Sequence, residues 1–241
     1  SGNVLWVNTS GSKRQDMSCG ITVEGYSIYT GGTYWETFYA EFDSIKAVGL
    51  CDIYIQKLDT SGNLVWLKSA GGKGGDFPKG ITANANLIFI CGQFNDSCYF
   101  DDKYVIGKNS YDIFNAVLSP KGDFKWAKSG LGDYGNYPNG ISSDDLGNTY
   151  LTGCFGETIS FDNTQLTSSG KTDAFIVKYD SFGVCHWAVK AGGALYDQGT
   201  GIFADSKSGI VLTGFFDGQM NIGSKNFTGY GGKDIFVAEY D

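Results

Sequence analysis

An internal repeat of about 60 residues constrains this chain more than any other feature of its sequence. Four of the five tryptophans share one slot of the repeat, with spacings of 60, 60 and 61 residues: Trp6, Trp66, Trp126 and Trp187. Gly-Ile pairs recur with the same spacings, beginning at Gly20, Gly80, Gly140 and Gly201. The repeat divides the 241 residues into units 1–60, 61–120, 121–181 and 182–241, which we interpret as one domain.

Within each unit the pattern predicts short β-strands. Residues 52–58 are rich in alternating Ile, Tyr and Leu, the cluster 60–63 is typical of a turn, and residues 64–67 predict a returning strand. No stretch shows a sustained apolar period of 3.6 residues, which argues against helices. Several strands are apolar on both faces, as a sheet packed between two other sheets would be. We therefore predict an all-β fold, a β-propeller of four blades with one blade per repeat.

The two ends of the chain suggest how such a ring would close. Residues 234–241 match the strand at residues 52–59, and residues 1–6 match the segment that follows it at residues 61–66. We therefore expect residues 1–8 to form a strand against residues 236–240, burying Trp6 as its counterparts are buried. This terminal pairing would close the ring.

Three segments carry a resemblance to a known repeat: Asp-Ala-Phe-Ile-Val-Lys-Tyr-Asp at 173–180, Ser-Gly-Asn-Leu-Val-Trp at 61–66 and Asn-Thr-Tyr-Leu-Thr-Gly at 148–153. They resemble the bacterial β-propeller repeat called the SBBP repeat, and the likeness extends over all four units. The resemblance implies a secreted or cell-surface bacterial protein, often multidomain. The chain departs from that pattern in having four units and several cysteines.

The composition excludes two classes of partner. The net charge is −8 and the chain has a single arginine, so no cationic patch is available for nucleic acid or for an anionic membrane surface. The longest apolar runs, such as residues 87–91, are far shorter than the roughly 20 residues that span a bilayer. We therefore expect neither nucleic-acid binding nor membrane insertion.

Metal and catalytic motifs are scarce. The six cysteines include no Cys-x-x-Cys pair, and the single His186 cannot complete a Cys/His zinc set. Cys91 and Cys98 are the one pair expected to face each other across a short hairpin. The slot of His186 holds Leu, Val and Lys in the other units, so we predict no catalytic residue. A glycosidase-type pair among the 21 Asp and 5 Glu residues stays open as an alternative.

Two rows of acidic side chains follow the repeat. One row opens an apolar strand in each unit and is expected to cap a turn: Asp52, Asp112, Asp173 and Asp234. The other row lies four residues before each Gly-Ile pair: Asp16, Asp76, Asn136 and Asp197. Oxygen ligands at a channel mouth would suit Ca²⁺, but no Asp-x-Asp-x-Asp loop supports such a site. A structural role is therefore preferred, and no cofactor is predicted.

Unit one departs from the repeat after its first Gly-Gly pair. From Gly31 to Phe42 the chain runs eleven positions, where the other units run eight, which predicts a three-residue insertion. The segment holds the only tryptophan outside the repeated slot. Aromatic faces beside carboxylates suit a sugar or a protein partner, so we predict ligand binding by a set of five residues. These are Tyr34, Trp35, Glu36, Tyr39 and Glu41.

Taken together, these features favour a non-enzymatic binding or assembly module at the cell surface that recognises a protein or a glycan. A carbohydrate-active enzyme with paired carboxylates is one alternative. A purely structural part of a larger surface complex is another.

Overall fold

The computed structural model describes residues 2–108, 111–207 and 209–241. Within these ranges the chain is all β, as predicted from the sequence, with twenty strands. None of this part of the chain forms a helix that could cross a membrane.

The strands follow one another closely along the chain. In chain order they are β1 (Ser10–Gly11), β2 (Met17–Glu24), β3 (Ser27–Tyr34), β4 (Thr37–Ala40), β5 (Asp43–Lys46), β6 (Asp52–Asp59), β7 (Leu64–Ala70), β8 (Asp76–Asn84), β9 (Leu87–Phe94), β10 (Ser97–Phe100), β11 (Lys103–Ile106), β12 (Asp112–Leu118), β13 (Phe124–Ser143), β14 (Thr149–Phe161), β15 (Thr164–Thr167), β16 (Asp173–Tyr179), β17 (Cys185–Gly192), β18 (Gln198–Asp205), β19 (Gly209–Ile222) and β20 (Lys225–Tyr240).

The long strands form four antiparallel groups, which we call sheets 1 to 4. Sheet 1 has the order β2-β3-β6-β7, sheet 2 the order β8-β9-β12-β13, and sheet 3 the order β13-β14-β16-β17. The long strand β13 is shared, serving as the fourth strand of sheet 2 and then as the first strand of sheet 3. Sheet 4 has three strands, β18-β19-β20.

A short hairpin follows the second strand of each sheet. In sheets 1 and 2 it is β4-β5 and β10-β11, and in sheet 3 the end of β14 pairs with β15. In sheet 4 the end of β19 pairs with the beginning of β20. The hairpin also pairs with the fourth strand of the preceding sheet, as Gly71 does with Tyr99, and so links neighbouring sheets.

Neighbouring sheets stack through their first strands. A Cβ atom on Gly20 would lie 3.3 Å from Ile81, and one on Gly80 would lie 2.9 Å from Ile141. The repeated glycine is thus a point of close approach, since a larger side chain would push the sheets apart. Because equivalent residues of neighbouring repeats contact each other, the first strands of neighbouring sheets point in the same direction.

The repeated tryptophans pack one sheet against the next. Trp66 donates its indole N–H to the carbonyl of Pro120, and Trp126 donates to Ser181, at 3.1 and 3.0 Å. Each ring also covers a turn glycine in the next sheet. At Gly183 φ is +82°, and a Cβ atom would lie 2.8 Å from the Trp126 ring, so both the turn and the packing require glycine.

The predicted pairing of the two ends is wrong for this structure. Residues 2–9 form no strand, and among the described residues β20 pairs only with β19. Trp6 instead donates to the carbonyl of Thr60 at 3.1 Å and remains 39% exposed. Closure depends on the angle at which successive sheets stack, and the strand pattern does not encode that angle.

The predicted Cys91–Cys98 pair does not form either. Cys91 lies on β9 opposite Asn115 and Gly80, whereas Cys98 lies on the separate hairpin β10-β11 opposite Val105. All six cysteines are free, and four of them are buried: Cys51, Cys91, Cys98 and Cys154. These four behave as small core residues.

We predict that Trp126→Ala lowers the free energy of unfolding by about 3–5 kcal/mol, because it empties a buried site between two sheets. Trp35→Ala is the matched control, since Trp35 lies outside the repeated slot and is only half-buried. Urea denaturation of both variants measures the difference. Equal losses would contradict a special role for the repeated tryptophan.

Candidate binding face

One end of the sheets collects the loops that precede the first and third strands. First and third strands begin at this end, and second and fourth strands finish there. Because neighbouring sheets run in the same direction, the loops of all four repeats lie on one face. We call this the loop face and define it by residues 12–16, 72–76, 132–136 and 193–197, with the residues that precede the third strands.

The first acidic row caps turns on the loop face, as predicted. Each carboxylate accepts a backbone N–H from the residue four positions earlier. The donors are Val48 to Asp52 at 2.9 Å, Lys108 to Asp112 at 2.6 Å, Ser169 to Asp173 at 3.0 Å and Tyr230 to Asp234 at 2.8 Å. Their shared geometry explains why Asp recurs in this slot.

The second acidic row was considered above as a Ca²⁺ site, with a structural role preferred. Its aspartates accept backbone N–H groups in the same way as the first row. Asp16, Asp76 and Asp197 accept backbone N–H groups from Ser12, Gly72 and Gly193 at 2.6, 2.8 and 2.6 Å. Asn136 instead donates its amide N–H to the carbonyl of Tyr111 at 3.4 Å. Asp16 and Asp197 directly precede β2 and β18, Asp76 begins β8, and Asn136 lies within the long strand β13, so the four residues belong to four different sheets. Among the described residues, no group of three or more His, Cys, Asp or Glu side chains could hold a metal ion.

Asp76 and Asp197 of this row are both fully buried. Burial, reinforced by the nearby negative charge of Asp52, raises the pKa of Asp76 to about 7. Burial also raises the pKa of Asp52 and of Asp197. Asp52 and Asp76 are thus a close carboxylate pair, but both are enclosed by protein and bonded to backbone N–H groups, so a substrate cannot reach them.

The predicted insertion in unit one is wrong. Tyr34 pairs with Asp52 just as Phe94 pairs with Asp112, and the hairpin beginning Thr37–Ala40 matches the one beginning Ser97–Phe100. The true counterparts are therefore Gly32 with Gly92 and Ala40 with Phe100. Gly32 and Ala40 are eight positions apart, as are Gly92 and Phe100. The apparent insertion arose because unit one has a second adjacent glycine, and because it has an alanine in the slot that holds Phe or Ile in the other units.

This register places Tyr34 in the core. Its ring is fully buried, lies 5.5 Å from the ring of Phe38, and its hydroxyl is 2.7 Å from the Ser69 hydroxyl. Burial raises the pKa of Tyr34 to about 12. The side chain is therefore a packing residue that no ligand can reach, contrary to the prediction.

The other four predicted residues do not form one patch. Trp35 lies half-buried at the loop face beside Arg14 and Gln15, and Arg14 pairs with Glu36 at 2.6 Å. Glu41 lies at the opposite end of the hairpin, where it accepts the backbone N–H of Leu64 at 3.1 Å and a side-chain N–H of Asn8 at 2.8 Å. Tyr39 is exposed on the hairpin between these two ends.

Sequence reasoning missed a different group of aromatic residues. We call it the aromatic patch and define it as Phe77, Tyr111, Tyr134, Tyr137 and Tyr196. All five lie in or beside the loops of sheets 2 to 4 on the loop face. Tyr134 is 70% exposed, the rings of Phe77 and Tyr111 are 6.0 Å apart, and the Lys171 ammonium lies 4.7 Å from the Tyr196 ring centroid. The available signal was that Tyr134 and Tyr196 are aromatic in slots where the other repeats have Arg, Gly and Leu, or Gln and Gly.

We predict that Asp76→Asn removes part of the pH dependence of stability. The folded state holds the Asp76 proton up to about pH 7 and the unfolded state only up to about pH 4, so the free energy of unfolding should fall as pH rises between these values. The slope approaches about 1.4 kcal/mol per pH unit for one group. Asn136 already fills this slot in sheet 3, so the variant should fold. Urea denaturation from pH 4.5 to 7.5 gives the free energy of unfolding of the unmodified chain and of the variant at each pH. The two plots against pH should converge at low pH, and parallel plots would contradict the assignment.

Comparison with known proteins supports a propeller-type repeat. No protein-family model matches the chain, so the SBBP type gains no support from that comparison. The chain is 24% identical over 206 residues to an uncharacterized WD repeat-containing protein, L264, of Acanthamoeba polyphaga mimivirus. The match covers 72% of this chain and 14% of the viral protein. WD repeats build propeller blades of four strands, which agrees with an all-β chain of repeated antiparallel sheets.

Proposed function

We propose that the chain is a non-enzymatic binding module whose four sheets act as propeller blades and whose loop face recognises a protein or a glycan. The repeated sheets supply a rigid scaffold, and the variable loops supply specificity. This division is usual where binding residues sit on loops held by a regular framework. The finer assignment to an SBBP-type repeat belongs to the same proposal.

The observation that carries the proposal is the aromatic patch. Exposed tyrosines combine a large apolar surface with a hydroxyl group, which suits both stacking on sugar rings and anchoring a protein partner. Tyr134 and Tyr196 do not belong to the packing that recurs in every repeat, because their slots hold Gly, Arg, Leu or other residues in the remaining units. Nothing in the packing of the sheets requires an aromatic residue in these slots.

Charge favours the same classes of partner. The chain carries −8 overall, and Arg14, its only arginine, is paired with Glu36. A nucleic acid or an anionic membrane surface would meet mainly negative charge. The secreted or cell-surface location rests on the SBBP resemblance alone. None of the six cysteines forms a disulfide, so the cysteines do not indicate an oxidising compartment.

Catalysis has weaker support. The one close carboxylate pair described above, Asp52 with Asp76, is buried. His186 is exposed, and its ring nitrogen lies 3.0 Å from Asp180, at the end of the sheets opposite the loop face. We therefore place neither group in a catalytic role.

The experiment is binding of the purified chain to an immobilised panel of β-glucan, mannan and N-acetylglucosamine oligomers. We expect Tyr134→Ala and Tyr196→Ala each to weaken binding of the preferred glycan by at least tenfold, since anchoring aromatics contribute about 2–4 kcal/mol. Tyr26→Ala is the control, because Tyr26 is exposed on the β2–β3 turn at the opposite end. No binding to any glycan, or equal loss in the Tyr26 control, would count against glycan recognition by this face.

A parallel variant tests the residue predicted from the sequence. Trp35→Ala should weaken binding at least tenfold, with little loss of stability, only if the ligand extends from the aromatic patch to sheet 1. Unchanged affinity would confine the site to sheets 2 to 4. The same binding assay and a melting curve measure both effects.

A further inference from the structure

One cation on the loop face is held over an aromatic ring instead of a carboxylate. The ammonium of Lys171 lies 4.7 Å from the ring centroid of Tyr196, and the side chain is exposed. Among the described residues, no Asp or Glu side chain forms an ion pair with Lys171. An ammonium group has three N–H donors, so an aromatic ring on one side leaves donors available to a ligand.

The backbone beside Lys171 is fixed by the neighbouring sheet. Thr172 donates its N–H to the carbonyl of Leu195 at 3.2 Å, and Asp197 donates its N–H to the carbonyl of Thr172 at 2.8 Å. Thr172 and Tyr196 thus form a parallel bridge between the loop before β16 and the loop before β18. This bridge places Lys171 beside the Tyr196 ring, at the junction of sheets 3 and 4.

Tyr134 reaches the same junction from β13. A Cβ atom on Gly156 would lie 3.4 Å from Cδ1 of the Tyr134 ring and 3.1 Å from the carbonyl oxygen of Lys171. The glycine therefore allows the tyrosine ring and the Lys171 backbone to approach the same point. Tyr134 and Tyr196 are 70% and 46% exposed. We call these two tyrosines and Lys171 the tyrosine–lysine site.

The equivalent junction of sheets 1 and 2 has none of this chemistry. Its parallel bridge joins Cys51 to Gly75, so a glycine stands in the slot of Tyr196. Leu50 stands in the slot of Lys171. Two sheets can therefore stack with the same bridge and without a lysine over an aromatic ring, which leaves the pair in sheets 3 and 4 available for binding.

The neighbouring carboxylates are engaged elsewhere. Three of them have partners inside the chain: Asp133 with Lys108 at 2.6 Å, Asp173 with Lys190 at 3.1 Å, and Asp197 with the backbone N–H of Gly193 at 2.6 Å. Asp217 lies opposite Lys233 in the pairing of β19 with β20. Glu157 is exposed on the turn after Gly156, but it forms no ion pair with Lys171. The Lys171 ammonium thus keeps a positive charge that no carboxylate neutralises by direct contact.

We propose that the tyrosine–lysine site binds an acidic glycan, a polysaccharide whose sugar rings carry carboxylate groups. The Lys171 ammonium donates to a sugar carboxylate, and the exposed rings of Tyr134 and Tyr196 stack on the apolar faces of sugar rings. This inference rests on the binding function proposed above and names the class of ligand.

Charge density separates this ligand from other anions. A sugar acid presents one carboxylate per ring and needs one cation at each contact, whereas a nucleic acid presents a dense row of phosphates. The net charge of −8 opposes such a polyanion more than a single carboxylate, because charges farther away than about 8 Å are largely screened at physiological salt. A protein partner fits less well, since lysine is depleted at the centre of protein interfaces.

The experiment compares polygalacturonate with its methyl ester, which has the same sugar backbone and no ionised carboxylate. We expect the immobilised chain to bind polygalacturonate at least tenfold more tightly than the ester. Lys171→Gln should remove this preference, whereas Lys171→Arg should keep it, because a guanidinium group also donates to carboxylates. Lys125→Gln is the matched control, since Lys125 is exposed at the end of sheet 2 opposite the loop face. Melting curves should be unchanged in all three variants.

Salt gives a second readout. Raising NaCl from 50 to 300 mM should weaken the binding of polygalacturonate to the unmodified chain and leave the binding of the ester nearly constant. Equal affinity for the acid and the ester, with loss of both in Tyr134→Ala, would overturn the acidic ligand and leave glycan binding intact. Binding of poly-glutamate but not of polygalacturonate would overturn it in favour of an acidic protein. No binding to these polymers or to the neutral panel would count against the binding function itself.

Discussion

Close stacking of successive sheets is the interaction on which the rest of the structure depends. Strands such as β12 are buried on both faces, so a single sheet could not keep them from water, and only neighbours on both sides can. The repeated glycine permits the first strands to approach, and the repeated tryptophan fastens the outer part of each sheet to the next turn. Stability is therefore distributed over interfaces between nearest neighbours, as in other repeat proteins.

The loop face is a consequence of that stacking. Because the sheets run in the same direction, acidic turn caps recur there and hold the loops in similar shapes. The framework leaves the side chains between the caps free to vary. Tyr134 and Tyr196 occupy such positions, which is why the aromatic patch is a better candidate for binding than any residue of the repeat itself.

The same stacking creates unsatisfied surfaces at the two ends. Inside the stack every apolar face has a partner, whereas Ile21 on sheet 1 and Ile235 on sheet 4 lie open to solvent.

The sequence by itself determined the repeat, the all-β class, the turn caps and the packing role of the tryptophans, because each depends on local spacing or on one recurrent contact. It misplaced Tyr34, since matching glycines by spacing cannot tell Gly31 from Gly32, whereas strand pairing can. It predicted closure through Trp6, which depends on the angle between successive sheets and so is decided by tertiary structure. The aromatic patch was also a tertiary result, because residues from separate repeats come to one face only when the sheets stack.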